Sequence, residues 1–506
     1  MKSTVYNLVP LMPYRGPARS LRSTLAILFF LSADLLAGRS THASDDAQVE
    51  AAPTDTVVPG QGTPPAEPSP GRTATADGWT LPGHRISISS KGWTATWYGF
   101  VELDAMRDST QSFADATTNG SVVPPNSVVG DNPRMQLSVK NSRFGLEVAA
   151  PDYGGAHVLG LMEIDAFGNQ GQGTTQNDLY SAPVLRLRHF YLKVTTRSLS
   201  LLAGQYHDLF AWGGAGFYPN TLAFLPITGE IYHRDPQVRL SKLWAGEAAT
   251  FEIELAAVRP GQVDGGLPDG QVGARLALNR WTGASAPGAS QPVAAPMAIG
   301  VSAVGRHLSV NDFSQKPGNP RKLNGGGIAL NVFLPIIPAS GDDLRNALSV
   351  SGEVTSGTGI SDLYANLTGG MTFPSLPNPN NLLAVPTYAP NVDPGVVGFD
   401  ADFNPHTVNW TAFWVNAHYH LPFGYGRSVW LSASLARLKS TNALDLTPPQ
   451  GQSSVWNQAR YYDGTLWWAI TPTTQLAAAA QLIQQYYGEG PRAENLRGEG
   501  SFFFFF

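Results

Sequence analysis

The chain has 506 residues, of which 14% are charged and 42% hydrophobic, with a formal net charge of −5 and no cysteine. The absence of cysteine excludes disulfides, thiolate metal sites, a cysteine nucleophile and a lipid-anchored N-terminal cysteine, and the weakly negative charge gives no reason to expect nucleic acid as a partner. Ordinary soluble proteins carry roughly 25% charged residues, yet no apolar run of about 18 or more residues is present to make a membrane helix, so the low charge needs another explanation.

The N-terminus has the layout of an export signal. Lys2, Arg15, Arg19 and Arg22 precede the apolar stretch LAILFFLSADLLAG at 25–38, and Thr41-His42-Ala43 offers a small-x-small cleavage site. The pattern predicts a signal peptide over 1–43; an amphipathic helix of the mature chain is the alternative. Residues 44–95 are expected to be a Pro-rich, flexible periplasmic segment. Seven prolines fall between 53 and 82 among small polar residues, which bury little and break helices.

From residue 96 the chain alternates with period 2. Val101, Leu103 and Ala105 share one parity, and Glu102 and Asp104 the other. Met162 and Ile164 oppose Glu163 and Asp165, and Phe251, Ile253 and Leu255 oppose Glu252 and Glu254. Full charges on the second face do not suit a packed core. An apolar face toward the surroundings and a polar face toward the interior suit a transmembrane β-barrel with a wet lumen.

Sixteen such segments are expected: 96–107, 134–149, 156–167, 184–196, 199–208, 236–244, 249–259, 271–281, 297–307, 324–335, 345–356, 408–421, 428–440, 459–470, 473–487 and 494–506. Several even-numbered connections are short and several odd-numbered ones long, which is the order of short periplasmic turns and long extracellular loops. The connection 282–296 breaks this rule. The predicted fold is therefore all-β, a 16-stranded antiparallel transmembrane β-barrel over 96–506. Barrels of this size leave an aqueous channel.

Five stretches, YGFVELDAMRD (98–108), NSRFGLEV (141–148), LRLRHFYLKV (185–194), LLAGQYHDLF (201–210) and YHRDPQVRL (232–240), resemble successive signatures of the DcaP-type outer-membrane porins. The resemblance covers about residues 96–260 and, loosely, the last two strands. It implies a homotrimeric channel in the bacterial outer membrane that passes small anionic solutes such as dicarboxylates. The family's N-terminal coiled-coil-like segment has no counterpart in the Pro-rich stretch.

Parity places Arg143, Arg186, Arg188, Arg239 and Arg275 toward the lumen, together with Glu102, Asp104, Glu163 and Asp165. Arginine presents a planar fork that matches a carboxylate, so a ladder of them could hand an anion from site to site. The same residues could equally form a lumen salt-bridge network. Loop 209–235 is the expected constriction, with His233, Arg234 and Asp235 as its polar candidates; an external loop at a subunit contact is the other reading. The terminal RGEGSFFFFF ends on alternate aromatics, Phe502, Phe504 and Phe506, as an assembly signal for the barrel-assembly machinery would, facing outer-membrane lipid.

No G-x-S-x-G or comparable nucleophile context occurs. His418 and His420 share a face but have no third metal ligand in view. The sequence gives no reason to expect an enzyme, a cofactor or a metal site. The alternatives to a porin are a structural or plugged barrel and an outer-membrane barrel enzyme such as a phospholipase.

Overall fold

The computed structural model describes residues 85–506, apart from 117–118, 169–182, 225, 263–264, 312–319, 366, 374–391, 423–428, 448, 489 and 491. The expected signal peptide and the prolines of 44–83 lie outside the described residues.

Twenty strands follow in chain order: β1 (Ile86–Ser90), β2 (Trp93–Asp108), β3 (Arg134–Ser138), β4 (Arg143–Ala149), β5 (His157–Asp165), β6 (Arg186–Thr195), β7 (Ser200–His207), β8 (Arg234–Ala245), β9 (Ala249–Val258), β10 (Asp269–Ser285), β11 (Val293–Asn311), β12 (Pro320–Ile337), β13 (Leu348–Thr358), β14 (Val397–Phe399), β15 (Pro405–Thr407), β16 (Asn409–His420), β17 (Val429–Ser440), β18 (Trp456–Thr471), β19 (Thr474–Tyr487) and β20 (Arg492–Phe505). Sixteen staves form a closed antiparallel ring: β2, the broken pair β3 with β4, β5 to β13, and β16 to β20. The ring closes where β2 pairs with β20, from Phe100↔Phe505 to Asp108↔Arg497. Each of the sixteen expected segments becomes one stave. Among the described residues, no helix is long and apolar enough to cross a membrane.

The second stave breaks between β3 and β4 for a local reason. Ser142 Oγ accepts from the Glu102 amide at 3.0 Å and donates to the Glu102 carbonyl at 3.2 Å, so a side chain replaces two ladder bonds. Regular structure also starts earlier than the sequence suggested. β1 and the first residues of β2 fall within 44–95, paired across a two-residue turn at Lys91 and Gly92 with φ of 50° and 82°. Positive φ at both positions is what a tight hairpin needs, and glycine supplies one of them without strain.

The radial pattern is inverted relative to a water-soluble protein. Val101 and Leu103 are about half exposed on the outside, while Glu102 and Asp104 are fully buried inside. Lipid is the solvent that satisfies such an exterior, and a closed barrel leaves no unpaired edge within it. The final phenylalanines divide in the same way. Phe502 and Phe504 are 45% and 46% exposed on the outer face, and Phe503 and Phe505 are buried inside. Within the wall, Phe503 stacks on Phe505 at 5.9 Å and leans on Trp467 at 6.4 Å, which stacks on Trp430 at 5.8 Å. The inner pair thus belongs to an aromatic row. Phe506 exchanges backbone hydrogen bonds with Gly99. A Cβ on Gly99 would sit 2.3 Å from the Arg143 carbonyl oxygen of the paired strand, as well as 2.9 Å from the Phe506 ring, so that position requires glycine.

One end of the barrel carries both ends of the β-structure and compact turns; the other carries the longer connections. The connection expected at 282–296 is shorter than it looked, because β10 and β11 run on and pair as far as Ser285↔Val293. Only 286–292 remain as a turn.

Candidate functional site

The connection between β7 and β8, residues 208–233, lies inside the barrel. Its start packs against the near wall. Phe210 N and Ala211 N donate to Gln271 Oε1 and Ser302 Oγ at 2.9 and 2.8 Å. The Trp212 ring rests on Gly273 and Gly300, where an added Cβ would approach within 2.9 and 2.6 Å. Two glycines on paired strands therefore cut the groove that seats this ring. Ala211 and Trp212 adopt φ of 60° and 51°, a conformation that non-glycine residues hold only when their surroundings impose it.

The loop then crosses to the opposite wall. Asn220 N donates to Asn416 Oδ1 and its carbonyl accepts from Asn416 Nδ2, both at 3.0 Å. Trp430 Nε1 donates to Asn220 Oδ1 at 3.0 Å, and Thr221 Oγ1 donates to Asp463. β7 is the fifth stave and β17, which carries Trp430, the thirteenth, so half of the ring separates them. The return leg is tied by Ile231 N to Glu353 Oε1 at 3.1 Å. Glu230, buried on this leg, is held well above the usual carboxylate range by desolvation, against the hydrogen bond from Ile227 N.

A cavity of about 150 Å³ remains between this loop and the wall formed by β2, β4, β5, β6 and the end of β20. Arg143, Arg186 and Arg188 line it, with Glu163 between them and Leu222, Ala223, Phe224 and Tyr232 of the loop facing them. Arg188 donates to Glu163 Oε1 at 2.6 Å, Asp165 Oδ2 at 2.9 Å and Tyr232 Oη at 3.0 Å. Arg186 grips Asp165 through Nε at 3.0 Å and Nη2 at 2.6 Å, yet keeps 40% of its side chain exposed. Arg143 lies 3.5 Å from Glu163. The Tyr98 hydroxyl donates to Glu163 Oε2 at 3.2 Å.

A further arginine joins this group. Arg234 donates to the same Tyr232 oxygen at 3.1 Å and lies over its ring. Three guanidinium groups thus meet two carboxylates, Glu163 and Asp165, and the fourth, Arg234, joins them through Tyr232, leaving a local surplus of positive charge. Arg85, beside Glu147 at 3.8 Å, adds a balanced pair at the same cavity. Burial opposes ionisation of Tyr232, but Arg188 and Arg234 pull its phenol down to about 8.

The remaining sequence candidates lie elsewhere. Arg239 is buried on Glu254 at 3.0 Å, and Arg275 pairs with Glu252 at 2.6 Å; neither lines the cavity. Glu102 accepts from Asn141 and Asp104 from Ser501 on the inner wall, also outside the cavity lining. His233, Arg234 and Asp235 do not act as one unit. Arg234 and Asp235 open β8 rather than belonging to the loop, and their side chains take different partners: Arg234 donates to Tyr232 Oη at 3.1 Å, whereas Asp235 pairs with His233 at 2.9 Å and Arg259 at 3.1 Å. His233 closes the loop base between Asp235 at 2.9 Å and Asp208 at 3.7 Å. Burial disfavours its charge, yet these two carboxylates raise its pKa to about 10. Those three side chains are close enough together to hold a metal ion, and the ion pairs already account for them. His418 and His420 are buried in the wall, with His420 stacked on Trp430 at 5.4 Å.

Arg85, Tyr232 and the turn 286–292 were not anticipated. The anomalous even connection was the signal for the turn.

No family model matches the chain, and no curated protein matches it. Solved structures do. The chain is similar to the outer membrane channel DcaP of Acinetobacter baumannii, at 16% identity and a TM-score of 0.56, over 83% of this chain and 100% of that one. OprB of Pseudomonas putida follows at 10% identity and a TM-score of 0.46, over 81% and 94% of the two chains. An anion-selective porin from Comamonas acidovorans stands at 10% identity and a TM-score of 0.45, over 82% and 100%. The resemblance read from the five sequence stretches is met at the level of the fold: the chain folds as a sixteen-stranded barrel like that of the DcaP channel.

Proposed function

We propose that the chain is an outer-membrane porin, a water-filled channel for passive diffusion of small hydrophilic solutes, with a preference for anions such as dicarboxylates. The observation that carries the reading is the arginine-rich cavity between the inward-folded loop and the wall. Arg143 of β4 and Arg186 and Arg188 of β6 project into it from either side of β5, and Arg186 keeps 40% of its side chain exposed while paired with Asp165. Fixed positive charge in a low-dielectric frame raises the local concentration of anions, and guanidinium forks suit carboxylates. The partial pairing with Glu163 and Asp165 keeps the site from binding too tightly, as conduction requires. The apolar outer band, the aromatic terminal strand and the fold likeness support placement in the outer membrane. A homotrimer, assembly by the barrel-assembly machinery through Phe502, Phe504 and Phe506, and a non-enzymatic role accompany this reading. The test is liposome swelling with a small dicarboxylate against a neutral sugar of equal size: faster entry of the dianion supports the reading, and equal or slower entry opposes the anion preference.

A second reading, a barrel closed by its own loops, draws on a specific observation. Residues of the loop end pack into one apolar cluster, in which Phe113, Val122, Leu363, Tyr364 and Trp410 are buried together. Absence of any solute entry would favour it.

A further inference from the structure

We infer that the turn 286–292, which enters from the opposite end of the barrel, is a second jaw of the constriction and sets the width of the passage together with loop 208–233. The inference rests on reading the barrel as a channel. In a simple β-meander a turn between two long paired strands stays at the rim. Here it is drawn inward and fastened at three places. Gly288 N donates to the Pro219 carbonyl at 2.8 Å, and the Gly288 carbonyl accepts from Thr221 N at 3.2 Å and Asn220 Nδ2 at 2.9 Å. These contacts make a parallel bridge between Asn220 and Gly288. Gln475 Nε2 donates to the Ala289 carbonyl at 3.3 Å, and Gln291 Nε2 to the Pro472 carbonyl at 2.5 Å. The turn is thereby tied both to the tip of the crossing loop and to the wall at β18 and β19.

The sequence suits that position. Gly288 has φ of 59°, which glycine adopts at little cost. Ala286, Ala289 and Ser290 are small enough for the backbone to approach the loop closely. Gly288, Ala289 and Ser290 line the same cavity as the arginines, so the passage has a cationic wall on one side and neutral jaws on the other. The two jaws brace each other: Asn220 is held at once by Asn416, Trp430 and Gly288. Charge preference then belongs to the wall and the size limit to the jaws, so the two properties separate by mutation.

The first test deletes Pro287–Ser290, leaving a three-residue connection that a hairpin tolerates. In planar bilayers the folded variant is expected to conduct roughly twofold more than the parent with its anion preference kept, because the narrowest section opens while the arginines stay. The second test needs no deletion. The chain has no native cysteine, so Ala289→Cys gives one reactive site, and a charged methanethiosulfonate reagent should produce a stepwise loss of current. A conducting parent whose deletion variant keeps the parental conductance, or whose Ala289→Cys form reacts without loss of current, overturns the second jaw and leaves the channel reading standing. A parent that does not conduct at all overturns the channel reading and this inference with it.

Discussion

Replacing Arg186 by glutamine removes one positive charge from the cavity while keeping a shorter, neutral polar side chain. Asp165 stays neutralised, because Arg188 Nη1 still donates to it at 2.9 Å. An ion passing about 8 Å from the lost charge in a water-like medium feels a change of about 0.5 kcal/mol. The sign is opposite for anions and cations, so the permeability ratio should move by about 1 kcal/mol, roughly fivefold toward cations. The assay is the reversal potential of refolded protein in a planar bilayer across a KCl gradient. Arg275→Gln is the control: that arginine lies on the inner face but pairs with Glu252 away from the cavity, and its loss should move the ratio much less. If Arg186→Gln leaves the ratio unchanged in a folded barrel, or if Arg275→Gln moves it as far, the cavity arginines do not set selectivity.

Other outcomes follow from the same geometry. The Tyr232 phenol sits at about 8, so raising pH from 7 to 9 should form a phenolate between Arg188 and Arg234 and reduce anion preference; Tyr232→Phe should abolish that pH dependence. His233 is raised from 6.5 to about 10 at the loop base, against burial, by Asp208 and Asp235. A raised folded-state pKa contributes stability that is fully present below pH 6.5 and is lost as pH rises through about 10. Urea midpoints measured across that window should therefore fall more steeply for the parent than for His233→Gln. Phe503→Ala removes a fully buried ring from the aromatic row and should cost about 3–5 kcal/mol of unfolding free energy in detergent, read from denaturant midpoints, with a smaller loss for the outward Phe502→Ala.

The fold was readable because the membrane imposes a strict rule on every strand: apolar outside, polar inside, period 2. Glu102 between Val101 and Leu103, or Glu163 between Met162 and Ile164, declares both the strand and its inner face. Parity also places Arg143, Arg186 and Arg188 on the inside. It does not say which inner-face charges meet, since that depends on where a loop runs across the lumen. Arg239 and Arg275 lie on the inner face as Arg186 does, yet the loop's route leaves them outside the cavity. Adjacency groups Arg234 with His233 and Asp235, whereas the Tyr232 hydroxyl, which the returning loop places between them, links Arg234 to Arg188. The boundary at 96 was late because the short β1 carries its alternation in only five residues after a Pro-rich run. The five terminal phenylalanines make sense only once Phe503 and Phe505 are seen stacked inside and Phe502 and Phe504 facing outward.

The most direct test of the central claim is the zero-current potential of the parent barrel, reconstituted in a planar bilayer between unequal KCl concentrations. The account predicts stepwise conductance and a potential whose sign reports anion preference. A folded barrel that conducts with cation preference would contradict the role given to the arginine wall, and one that does not conduct would contradict the channel itself.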